Sequence, residues 1–68
     1  MSAAKYIERA ETVYRIAALV GQKEHLKQLL AVTHDYLGMA DLAHPDEQQR
    51  AQIAALRAQI SVRLPDRG

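Results

Sequence analysis

Apolar residues recur three and four positions apart in three separate stretches of this chain, and that spacing is the signature of amphipathic helices. The first stretch is carried by Ile7, Ala10, Tyr14 and Ala17, flanked by Val13, Ile16 and Val20. The second runs through Leu26, Leu30, Thr33, Leu37 and Ala40, with Leu29 and Tyr36 beside it. At about 100° per residue, the second stripe falls roughly opposite the first if one helix runs straight through both. A break at Gly21, Gln22 and Lys23 lets the two stripes face each other instead, with Gly21 supplying the left-handed conformation that commonly ends a helix. A single long helix, sharing its two faces between different partners, is the alternative.

The boundaries follow from local chemistry. Ser2 is a candidate cap for the first helix, but Lys5 stands where a Glu or Gln would complete a reciprocal cap. His44 precedes Pro45, and a residue before proline is pushed away from helical dihedrals, so the second helix ends near Ala43. Pro45 suits the first turn of a third helix, and Asp46 and Glu47 favour its positive end. That helix places Ile53, Leu56, Ile60 and Leu64 on one side and is stopped by Pro65. These signals predict helices at about 3–20, 23–43 and 46–63. They give one helical domain over residues 1–64 and a disordered tail at 65–68.

The fold class is therefore all-α, a small antiparallel helical hairpin or a three-helix bundle. The expected hairpin joins the last two helices, with the first packing on it or reaching toward another chain. A chain of 68 residues buries only about 60% of its unfolded surface. Its apolar residues are mainly Leu, Ile, Val and Ala, with no Phe or Trp, so the core is small and aliphatic. Completion by a homo-oligomer or a protein partner is expected. Cysteine is absent, which excludes disulfides and thiolate zinc sites and fits a cytoplasmic location. No segment approaches the roughly 20 apolar residues of a membrane span, and Met1 to Ala10 lacks the apolar run of a signal peptide.

Catalytic and metal chemistry find little support. His25, His34 and His44 lie nine and ten residues apart, whereas helical metal pairs need ligands three or four apart on one face. Ser2, Ser61, Thr12 and Thr33 lack any nucleophile elbow or glycine-rich phosphate loop around them, and Glu8 with Glu11 reads as a solvated face. No enzyme activity, cofactor, metal or small-molecule substrate is expected. A net charge of +1 implies neither nucleic acid nor an anionic membrane. The alternative function is a small DNA-binding regulator, with Arg50, Arg57 and Arg63 contacting phosphates, but Asp46, Glu47 and Asp66 offset them. The leading expectation is a protein-interaction module using exposed faces of the first and third helices. Its apolar anchors would be Tyr6, Ile7, Tyr14, Ile53, Leu56 and Ile60. Tyr14 and Tyr36 are expected between the first two helices, Tyr6 in an exposed contact, and Met39 as a gap filler.

From Ala10 to Ile60 the chain shows a helical run ending near Met39, a short proline-bearing turn, and a Gln-rich helix reading PDEQQRAQIAALRAQI. This layout resembles the small helical-hairpin co-chaperones of type III secretion needle subunits. The resemblance implies a heteromeric complex in the bacterial cytosol that shields an aggregation-prone partner.

Overall fold

Ser2 opens the first helix with its hydroxyl oxygen accepting from the Lys5 N–H at 3.3 Å, the one-sided cap that the sequence allows. A computed structural model describes residues 2–63. Expectations for Leu64, Pro65 and the tail at 65–68 lie outside the described residues. Three helices follow in order: α1 (Ala3–Ala17), α2 (Lys23–Leu42) and α3 (Glu47–Arg63). The chain breaks between α1 and α2, so the single long helix is not formed.

The first break differs from its sequence reading. α1 stops at Ala17, and its last carbonyls are taken up by a tightened turn, Leu19 N–H to Ile16 O at 3.0 Å and Val20 N–H to Ala17 O at 3.1 Å. Gly21 takes no left-handed conformation. That conformation appears instead at His44, with φ of 57°, just past the end of α2, where the chain must turn before Pro45. Pro45 itself lies outside α3 rather than in its first turn, because Asp46 takes the cap. The Asp46 carboxylate accepts from the Gln49 N–H at 2.7 Å, and the Gln49 side-chain oxygen accepts from the Asp46 N–H at 2.9 Å. This reciprocal pair satisfies two donors that a helix start otherwise leaves open.

The core is built from one stripe of each helix: Ala3, Ile7, Ala10 and Ala17; Leu30, Thr33, Leu37 and Ala40; Ile53, Leu56 and Ile60. Thr33 is fully buried, and its hydroxyl donates to the Leu29 carbonyl at 2.8 Å, so no polar atom is stranded there. The most extensive helix pairing is α1 with α2, while α3 lies across both with smaller interfaces. α2 and α3 are in contact, as the sequence predicts, but α1 and α2 make the more extensive pairing. The reason is side-chain size: Ala3, Ala10 and Ala17, seven residues apart, form a flat strip that lets α1 approach α2 closely. The buried residues of α3 are the larger Ile53, Leu56 and Ile60. Its attachment is reinforced by Arg57, which donates to the Asp41 carboxylate of α2 at 2.7 Å. The result is an all-α three-helix bundle. No helix among the described residues is long and apolar enough to cross a membrane.

Candidate interaction surface

Of the six residues expected to meet a partner, four are used inside the chain itself. Ile7, Ile53, Leu56 and Ile60 are all buried in the common core. They cannot serve as exposed anchors, because the same 3–4 spacing that marks an interface also marks a stripe facing neighbouring helices. Tyr6 and Tyr14 are half-buried against that core. Tyr14 faces α3 rather than α2: it lines a shallow cleft with Ala58, Gln59 and Val62, and the Arg63 guanidinium stands 5.6 Å from its ring centre. Tyr6 lies at the other end of α1, in a cleft with Met39, Leu42 and Ala43.

The exposed apolar side chains are a different set, and their position is fixed by where α3 sits. On α2 the side toward α3 is marked by Leu30 and His34, which share a groove with Ile60, and by Asp41, bonded to Arg57. At about 100° per residue, Val32 and Met39 lie on the opposite flank of α2. They belong to a second 3–4 stripe of His25, Leu29, Val32, Tyr36 and Met39, which runs beside the core stripe. On α1, Tyr14 points to α3, and the flank away from it carries Val13, Ile16 and Val20, interrupted by Arg9. Tyr36 of α2 joins Arg9 and Val13 of α1 in one cleft, so the two flanks form a continuous face. Ile16, Val32 and Met39 on this face are 49%, 41% and 45% exposed. Met39 therefore fills no core gap. The hairpin of α1 and α2 thus has two sides, one covered by α3 and one open.

Sequence reasoning passed over this face because its residues flank the core stripes, and a flank alone reads as the edge of a core. The signal was the regularity of the second stripe on α2, whose intervals of four and three run nearly the whole helix.

The remaining candidates do not converge. Arg57 is engaged by Asp41, Arg63 stands over Tyr14, and Arg50 is exposed by itself. Arg50 and Arg57 share a face of α3, but Arg63 is turned roughly 120° from it. His25 and His34 are exposed nine residues apart on α2 and His44 is exposed in the turn after it, and no group of three or more His, Asp or Glu that could hold a metal gathers among the described residues. Comparison with protein families, with curated proteins and with solved structures finds no match.

Proposed function

We propose that this protein is a small helical interaction module of the cytoplasm that binds an amphipathic helix across the open side of its α1–α2 hairpin. The observation that carries the reading is the second apolar stripe on α2, set beside Val13, Ile16 and Val20 of α1 on the side away from α3. A three-helix bundle with such a face is a four-helix bundle lacking one layer, and helices associate with such grooves through side chains at 3–4 spacing. Fully burying a Val, Ile or Met side chain stabilises by about 1.5–3 kcal/mol, so covering three half-exposed ones favours binding by a few kcal/mol before association costs. A protective subunit, as the likeness to needle co-chaperones implies, would use this face to cover a helix of its client.

The test uses the full chain carrying an affinity tag and expressed beside an untagged copy in bacterial cytosol. Wild type and the control Gln59→Glu, on exposed α3 surface, should retain a bound protein, whether a client or the untagged copy. Val32→Glu, checked for helicity by circular dichroism, should lose it. Retention of the same protein by folded Val32→Glu, or of none by wild type, refutes the reading.

A further inference from the structure

We infer that the end of the bundle where α1 and α3 stop and α2 starts docks on an anionic lipid surface. This end is separate from the open side of the α1–α2 hairpin, and a net charge of +1 conceals it because the charges are unevenly spread. Tyr14 shares a cleft with Val62 and Arg63, and Lys27 shares a groove with Ile60, so the last turns of α1 and α3 and the first turns of α2 gather together. They carry Arg15, Lys23, Lys27 and Arg63, all exposed, with Glu24 the one carboxylate among them and Glu11 and Asp35 nearer the middle. Both ion pairs among the described residues lie elsewhere, Lys5 with Glu8 and Arg57 with Asp41. The opposite end, where α2 passes to α3, holds Asp41, Asp46 and Glu47 against Lys5 and Arg50.

Apolar exposure decides what these cations meet. Leu19, on the turn after α1, is 87% exposed, and Val62, in the last turn of α3, is 84% exposed. An anionic bilayer accepts both chemistries at once: Lys and Arg sit among the headgroups while apolar side chains enter the acyl boundary. A nucleic acid backbone offers phosphates but no place for Leu19 and Val62. Leu42 is nearly as exposed at the opposite end, but it stands among carboxylates, which an anionic surface repels. A second copy presenting that acidic end would find little area, since the molecule measures 20 by 15 Å across its length, against the roughly 800 Å² per partner that stable pairs bury. A lipid surface needs no matching shape, and the convex turn at 18–22 suits it.

The test is co-sedimentation of the purified full chain with vesicles of phosphatidylcholine alone and of phosphatidylcholine with about one third phosphatidylglycerol. Wild type should bind the anionic vesicles at least tenfold more tightly, and lose that preference at about 1 M salt, where screening shortens the reach of a charge to about 3 Å. Lys23→Glu combined with Lys27→Glu should weaken binding at least tenfold, since each cation near the surface contributes roughly fivefold. Lys5→Glu combined with Arg50→Glu has the same net charge but lies more than a Debye length away, so its binding should stay within about twofold of wild type. The chain has no tryptophan, so Leu19→Trp supplies a single indole whose emission should shift to the blue with anionic vesicles alone. Circular dichroism checks the helicity of every variant. Equal binding to both vesicles, equal loss from the two double variants, or an indole at position 19 that stays in water overturns the docking. Binding to duplex DNA without binding to vesicles would overturn it too and assign the cations to nucleic acid.

Discussion

His44 holds the one left-handed backbone among the described non-glycine residues, with φ of 57°. The position is dictated from both sides: α2 must end and its chain reverse, while Pro45 bars a helical conformation in the residue before it. An L side chain in this region costs about 1–2 kcal/mol, which glycine avoids, though glycine gives back part of the gain through a more disordered unfolded chain. His44→Gly should therefore raise stability by about 0.5–1 kcal/mol, or roughly 4 °C in Tm at fixed protein concentration. His44→Val, stiff and β-branched, should lower it. Thermal unfolding followed by circular dichroism checks both, and an unchanged or lower Tm for the glycine variant would show that the imidazole itself contributes there. The neighbouring cap was open to view in the sequence, since Asp46 followed three residues later by Gln49 is the reciprocal capping pattern. Pro45 drew attention from it, because proline also suits a first helical position.

Among the elements, the alanines of α1 decide which helices pair closely. Ala10 is fully buried in the common core, with Ala3 and Ala17 a heptad away on either side. A larger side chain there has to push the two helices apart, and such overpacking costs about 1–3 kcal/mol. Ala10→Leu should destabilise by about 2 kcal/mol in urea unfolding, whereas Ala54→Leu on the exposed side of α3 should be close to neutral. Equal effects at the two positions would mean that α1 and α2 are not held by close approach. Helix number, order and approximate limits were legible in the sequence, because periodicity and helix-ending residues are local. The pairing was not, because apolarity identifies a stripe while side-chain volume sets how near its neighbour comes. The candidate site was legible only as residue types. Tyr6 borders the open face, but Ile7, Ile53, Leu56 and Ile60 are absorbed by the core, and Val32 and Met39 emerge only once α3 is known to lie on the other side.

For the molecule as a whole, stability and association are linked. Among the described residues the buried large aliphatic side chains are Ile7, Leu30, Leu37, Ile53, Leu56 and Ile60, the remainder of the buried apolar core being alanine. A core this small leaves a thin margin, and part of the apolar surface that would widen it lies on the open face. Whatever binds the folded chain and not the unfolded one adds RT ln(1 + [L]/Kd), about 2.7 kcal/mol at a hundredfold excess over Kd. In a domain of this length, 1 kcal/mol moves the Tm by about 4–8 °C. If the occupant is a second copy, the Tm of wild type should climb by about 10–20 °C as concentration passes from well below the dimer Kd to a hundredfold above it. Val32→Glu places a charge in the middle of the face, where pairing would have to bury it, so its Tm should stay flat over the same range. Differential scanning calorimetry across the concentration series measures both. A flat wild-type Tm would mean that one copy stands without a second, and that the margin comes from the alanine-lined contact of α1 with α2. A rising Tm in Val32→Glu as well would move the association to another surface, with Leu19 and Val62, both strongly exposed, the first positions to substitute.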